Sequence, residues 1–256
     1  MLSHGDYIGR VLGLPPHVTA CLFDLDGVLT QTALVHNAAW KQTFDAFLRT
    51  WSAQRGEEFV PFDPGPDYHQ YVDGRPRADG VRTFLASRGI TLPEGSPDDG
   101  PDAETVNGVG NRKNDLVLQK ISEGAVEVYP GSVDYLHAAK AAGLRIAVVS
   151  ASANCKDVLE AAGIADLIEE RVDGVTAREQ HFPGKPAPDT FLYGAKLLNT
   201  PPVNCAVFED AQAGVAAGRA GAFGIVVGVD RVGQREALLA HGADIVVDDL
   251  SELIPR

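Results

Sequence analysis

Basic residues are scarce in this chain. There are 22 Lys and Arg against 35 Asp and Glu, for a formal net charge of −13. A surface of that sign repels polyanions and argues against nucleic acid or an anionic membrane as a partner. Cysteine is also rare. Cys21, Cys155 and Cys205 form no CxxC pair, and Cys21 and Cys205 fall in apolar runs. That pattern excludes a disulfide scaffold and fits plain thiols in a reducing compartment. No apolar run reaches the ~18 residues of a membrane span. The opening MLSHGDYIGRVLGLPP has no basic segment followed by an apolar stretch. No leader is therefore expected, and the cytoplasm is the expected location. Apolar residues are in ordinary supply at 45%, enough for a full globular core. A length of 256 residues allows one large domain or a core plus a smaller one.

From about residue 130 the pattern alternates helix and strand. Helices are expected over 133–142, 154–162, 188–198, 211–220 and 234–241. Strands are expected over 144–150, 203–208, 223–229 and 244–247. Short β-rich apolar runs between amphipathic helices indicate a parallel sheet covered on both faces. Another buried strand is expected far upstream, over 18–23. Between them, residues 32–128 carry helical stretches at 34–51, 76–88 and 112–122 and no convincing strand. Polar, Pro/Gly-rich stretches at 53–67 and 91–111 interrupt them, and the second is expected to be a mobile loop. The fold class expected is α/β, a doubly wound (Rossmann-like) parallel sheet core of residues 1–31 and 129–256. A helical domain, 32–128, is inserted after the first strand.

The chemistry concentrates where strands end. Residues 23–30 read FDLDGVLT, so Asp24 and Asp26 close the first strand and Gly27 breaks it. Open α/β sheets bind ligands at the carboxyl ends of their strands. Residues two apart in extended chain point the same way, so both carboxylates can face one site. One can attack phosphorus while the other moves a proton. In VVSASAN, Ser150 ends a strand, and Ser152 and Asn154 open the next helix, as an anion site would require or as simple N-capping would. In GKPAPD, Lys185 sits between Gly and Pro before a helix, where it can neutralise a phosphoryl group or be a solvated surface lysine. In FEDAQAG, Glu209 and Asp210 end a strand and offer hard oxygen ligands to Mg²⁺, or an acidic N-cap.

This ordered set resembles the haloacid-dehalogenase superfamily, whose phosphotransferases carry DxD, Ser/Thr, Lys and acidic-pair motifs along nearly the whole chain. A narrower resemblance, to the β-phosphoglucomutase family, rests on further residues. Thr32, His36 and Trp40 in TALVHNAAW resemble a TxxxHxxAW stretch. The loop DGRPRAD, with Gly74 and Arg77, resembles a cap loop that meets substrate. Lys113 in RKND resembles a lysine that reaches the sugar phosphate. Ser150, Ala151, Ser152 and Asn154 resemble the SAS-x-N phosphate loop. Gln31 stands where the family often has Asp, and Ala153 where it can have Lys.

The resemblance implies Asp24 as nucleophile and Asp26 as general acid/base. It implies Mg²⁺ held by Asp24, the Asp26 carbonyl and Asp210, with Glu209 as ligand or close neighbour. Ser150 and Lys185 would bind the transferring phosphoryl group, Arg77 and Lys113 the other phosphate. Thr32 and His36 would couple cap closure to Asp26. The implied reaction interconverts β-D-glucose 1-phosphate and glucose 6-phosphate, primed by β-glucose 1,6-bisphosphate, in a monomer. Two readings stay open beside it. A sugar-phosphate phosphatase would share the core residues, and a phosphosugar-binding scaffold would share the fold.

Overall fold

The computed structural model describes residues 12–124 and 126–255. Residues 1–11, on which most of the leader reading rests, lie outside the described residues. The chain divides into two compact units, Met1–Gln31 with Glu127–Arg256, and Thr32–Val126.

The first unit is a parallel six-stranded sheet. In chain order its elements are β1 (Ala20–Phe23), α4 (Pro130–Ala141), β2 (Arg145–Val149), α5 (Cys155–Ala161), β3 (Glu170–Val172), α6 (Gly174–Glu179), α7 (Asp189–Leu197), β4 (Cys205–Glu209), α8 (Gln212–Ala220), β5 (Ile225–Val229), α9 (Arg235–His241) and β6 (Ile245–Val247). The helices between β1 and α4 belong to the second unit. The strand order is β3-β2-β1-β4-β5-β6, so the order reverses at β1 and β4, and a crevice opens between their carboxyl ends.

The strands are apolar on both sides because both faces are covered. Leu22, Val149, Val172, Val207 and Val226 pack with Phe191 of α7 and Val215 of α8. Phe23 and Phe208 point the other way. Their rings stack at 4.4 Å, and both lie edge-on to Tyr135 of α4. Phe23 pairs in register with both Val148 and Phe208, which brings the residues after these three strands level at one edge.

Strand β3 and helix α6 were not expected. The strand is three residues long, lies at the sheet edge and reads Glu-Arg-Val. Charges on a short edge strand protect it from further pairing and hide it from an apolar-run reading.

The second unit packs α1 (Thr32–Arg55), a π-helical turn (Tyr68–Val72), α2 (Arg77–Ser87) and α3 (Val106–Ser122) around an aromatic cluster. Phe44 lies 4.9 Å from Trp40, 5.4 Å from Phe62 and 4.2 Å from Phe84 between ring centroids. The stretch 91–111, expected as a mobile loop, is in part helical. Its last six residues belong to α3, capped by Thr105, whose hydroxyl accepts the Gly108 N–H at 2.9 Å. Asn107 and Asn111 then tie the remaining loop down, donating to the carbonyls of Glu94 (2.9 Å), Pro97 (3.0 Å) and Asp99 (2.8 Å). Gly108 reads as a breaker in sequence, but it is there for space. A Cβ at this position would lie 2.3 Å from the Ala103 carbonyl.

Among the described residues no helix is long and apolar enough to cross a membrane. The three cysteines are free and buried, and burial pushes the Cys205 thiol up to about 12.

The stacked face predicts the energetics. Phe208→Ala should cost about 3–5 kcal/mol of stability, read as a lower urea midpoint with an unchanged slope. A loss below about 1 kcal/mol would mean that this face does not anchor the sheet.

Candidate active site

The crevice at the β1–β4 reversal is lined by charge. Asp24 follows β1, Glu209 ends β4, and Asp210 follows it; all three are buried. Lys185 reaches them from the loop before α7. Its ammonium donates to Asp24 Oδ1 (2.6 Å), to the Val149 carbonyl (3.1 Å) and to Glu209 Oε1. An ammonium has three N–H groups, and each has an acceptor here. The Lys185–Pro186 peptide is cis.

Burial alone would lower the Lys185 pKa, but the carboxylates of Asp24 and Glu209 outweigh it and hold the ammonium above its ordinary value. For Asp24 the balance goes against the charged form. Burial pushes its carboxyl well up, Lys185 only partly offsets this, and Glu209 and Asp26 push it further. The crevice therefore holds more negative charge than one lysine balances. Ligand atoms of Asp24, Glu209 and Asp210 lie within 4.8 Å of one another. Three buried oxygen donors with one partial counter-charge fit a small, hard divalent cation.

Asp26 sits in a tight turn. The Gly27 N–H donates to the Thr30 carbonyl at 2.7 Å, and Thr30 N–H to that of Leu25 at 3.0 Å. Gly27 has φ 87°, and a Cβ on it would lie 1.8 Å from Asp210 Oδ2. Only glycine meets both demands.

Ser150 follows β2. Its hydroxyl donates to Asp26 Oδ2 at a long 3.4 Å and accepts the Ser152 N–H at 3.0 Å. The Ser152 hydroxyl accepts the Asn154 N–H at 3.2 Å. Asn154 stands at the N-cap of α5, but its side chain makes no capping bond. Residues 150–154, Ala151 included, thus form a turn built on hydroxyl-to-backbone bonds. Gly174 supports it from below, since a Cβ there would lie 2.7 Å from the Ala151 carbonyl.

In the helical unit the residues gather around α3. Lys113 is buried, with its ammonium 2.5 Å from His36 Nδ1 and 5.0 Å from the Trp40 ring centroid. The ammonium can only donate, so Nδ1 accepts. Arg77, the first residue of α2, donates to Asn111 Oδ1 at 3.1 Å. Gly74 turns the chain before it at φ 67°. Thr32 is buried at the start of α1.

Residues 18–221 match the haloacid dehalogenase-like hydrolase family. The chain belongs to that family. It is 58% identical over 248 residues to proteins named β-phosphoglucomutase in Mycobacterium bovis and Mycobacterium tuberculosis, covering 96% of this chain and 95% of each relative. A Bacillus subtilis β-phosphoglucomutase is 31% identical over 235 residues, 91% of either chain. The crystal structure of β-phosphoglucomutase from Clostridium difficile aligns with a TM-score of 0.72 at 28% identity, covering 92% of this chain and 93% of that one.

Sequence reasoning missed Asp173. Buried after the unexpected β3, it accepts the N–H groups of Val175 and Thr176 at 3.0 Å each and an Arg171 N–H at 2.7 Å. It fixes Gly174, whose own N–H donates to the Ser152 carbonyl at 3.1 Å. An Asp-Gly pair between two valines looks like any turn, so only a recognised β3 would have exposed it.

Gly27→Ala offers a sharp test. The added methyl would collide with the Asp210 carboxylate and strain the turn. Turnover should fall at least ~100-fold, the scale of a misplacement of about 1 Å, while the far-ultraviolet circular dichroism stays native. Near-normal turnover would show that the Asp26 turn and Asp210 are not locked together.

Proposed function

We propose that this protein is a β-phosphoglucomutase, interconverting β-D-glucose 1-phosphate and glucose 6-phosphate through an aspartyl-phosphate enzyme and β-glucose 1,6-bisphosphate. The observation that carries the mutase over a simple phosphatase is the second buried cation. Lys185 serves the carboxylate crevice, and Lys113 lies buried in the helical unit with His36 and Trp40 around it. A mutase must hold two phosphates, one reacting and one parked, and a phosphatase needs only the first. The names of relatives at 58% identity support the same reading.

In this reading residues 1–31 and 129–256 are the phosphotransferase core, and 32–128 are the cap domain. An Asp24 carboxylate oxygen attacks phosphorus, and the bond from phosphorus to the sugar oxygen breaks. Asp26 gives its proton to that leaving oxygen. In the second half-reaction Asp26 takes the proton from the incoming hydroxyl as the phosphoryl group leaves Asp24. Lys185 holds Asp24 by one oxygen and balances its charge, so the carboxylate is aimed before substrate arrives. Ser150, Ser152 and Asn154 bind phosphoryl oxygens through hydroxyl, amide and backbone N–H groups. Arg77 and Lys113 hold the second phosphate, with Gly74 letting the cap loop approach. His36 and Trp40 set the position of Lys113, and Thr32 and His36 would help couple cap closure to the position of Asp26.

Asp24, Asp210 and the Asp26 carbonyl would hold Mg²⁺, which supplies charge neutralisation as two anions approach. Glu209 holds the lysine from behind through one oxygen, its other oxygen accepting the Ala211 N–H at 3.0 Å, and it stands beside the metal as ligand or close neighbour. The protein acts as a monomer in the cytoplasm on a small sugar phosphate.

Phosphorus NMR with Mg²⁺, β-glucose 1-phosphate and a trace of the bisphosphate tests the reading. Glucose 6-phosphate should grow without inorganic phosphate. Growth of inorganic phosphate instead would favour the phosphatase reading. Asp26→Asn should lower kcat by roughly 10²–10⁴-fold. Lys113→Met should raise KM by about 10- to 100-fold, the worth of one charged hydrogen bond, and an unchanged KM would remove Lys113 from the phosphate site.

A further inference from the structure

A fifth loop reaches the same sheet edge and belongs to none of the four motifs. Residues 230–234 follow β5, and Asp230 fixes their shape. Its Oδ1 accepts the N–H groups of Val232 (3.2 Å), Gly233 (2.7 Å) and Gln234 (2.8 Å), and its Oδ2 that of Arg235 (3.0 Å). Burial would raise this carboxyl, but the four backbone donors outweigh it and lower it.

From this rigid loop Arg231 turns back into the core, with its side chain 12% exposed. A guanidinium has five N–H groups, and all five are used. Nε donates to the Gly27 carbonyl (3.0 Å). One terminal nitrogen donates to the Val28 carbonyl (3.3 Å) and the Ser132 hydroxyl (3.3 Å). The other donates to the Asp248 carbonyl (2.8 Å) and to Asp249 Oδ2 (3.1 Å). The guanidinium carbon lies 3.6 Å from the centroid of the Tyr129 ring. Ser132 is itself buried and donates to the Val28 carbonyl at 2.7 Å.

These contacts share one target. Gly27 and Val28 follow Asp26 directly. The chain then runs out through Gln31 and returns through Glu127 to Tyr129, and the two segments are hydrogen-bonded. Gln31 N–H donates to the Glu127 carbonyl at 2.8 Å, and Tyr129 N–H to that of Leu29 at 3.0 Å. Arg231 therefore grips the outgoing segment by two carbonyls and the returning one by its ring. From the same loop, Gln234 donates to the Asp210 carbonyl at 2.8 Å, and Asp210 lies against Gly27.

We propose that Arg231 is a positioning residue for phosphoryl transfer. It fixes the Gly27–Val28 backbone and so sets where the Asp26 carboxyl stands relative to Asp24. It touches no reacting atom. Its effect should fall on the rate of transfer and leave substrate affinity nearly unchanged.

The inference rests on the phosphotransfer reading, and the experiment separates the two. Wild type, Arg231→Lys, Arg231→Met and Ser132→Ala are compared by phosphorus NMR kinetics, with thermal melts to give the folded fraction. Arg231→Met should lower kcat on the order of 10²-fold, the cost of a small misplacement, with KM within about threefold of wild type. Lysine keeps the charge but has three donors and no plane to stack, so Arg231→Lys should recover only part, to about 10-fold below wild type. Ser132→Ala should lower kcat by about 3- to 10-fold, and it carries the test if Arg231→Met does not fold. A kcat per folded molecule within about twofold of wild type in these variants would overturn the proposal. So would a loss that appears in KM alone. If the wild type releases inorganic phosphate instead of isomerised sugar, the mutase reading fails. The ratio of variant to wild-type phosphatase kcat then still decides the role of Arg231, because that reaction uses Asp26 as well.

Discussion

One buried ammonium organises this site. Lys185 sits between Asp24 and Glu209 and donates to both. A lone carboxylate at this depth would give up its charge, and two at close range would repel. The lysine lets two strands end in carboxylates side by side. Its third N–H, on the Val149 carbonyl, ties it to a third strand. The reversal of strand order at β1 and β4 creates the crevice, and Lys185 makes it tolerable to fill that crevice with acids. What charge remains is the invitation to a metal and a phosphate.

The sheet was legible because its strands are apolar on both faces and short. Cys-Ala-Val-Phe and Ile-Val-Val read as buried strands in any context. The α/β alternation gives parallel pairing, and parallel pairing puts Asp24, Ser150 and Asp210 at one edge without further information. β3 escaped because an edge strand needs charge where an inner strand needs valine. The start of α3 escaped for a different reason. Gly108 and Gly110 lower helix propensity, but α3 starts before them on the Thr105 cap.

The candidate site was legible only where its residues stand in a recognisable motif, at a strand end or in the loop before a helix. Asp24, Ser150, Lys185 and Asp210 each stand beside a motif that announces itself. Asp173 and Arg231 do not. Arg231 acts 204 residues away from Gly27, and its signal in sequence is an Asp-Arg-Val-Gly turn like many others. Its meaning comes from five acceptors brought together by the fold, three of them backbone carbonyls. A carbonyl leaves no trace in side-chain identity. Groups that hold a catalytic backbone in place are therefore the part of a site that sequence reading loses first.

The most direct test of this account is the stability of Lys185→Met as pH changes. Removing the ammonium leaves buried carboxylates unbalanced and should cost about 3–5 kcal/mol at neutral pH. Lys185 partly lowers the Asp24 carboxyl, which burial holds above its ordinary value; without the lysine that carboxyl lies further above its unfolded value, so the variant's folded state binds protons more tightly than the wild type's. Its stability should then rise, relative to wild type, as pH falls from 7 toward the ordinary carboxylate range near ~4. Urea unfolding at several pH values should show the gap to wild type narrowing, and Lys185→Met with Glu209→Gln should narrow it already at neutral pH. A gap that stays constant with pH, and that Glu209→Gln leaves untouched, would contradict the claim that charge balance by Lys185 holds this site together.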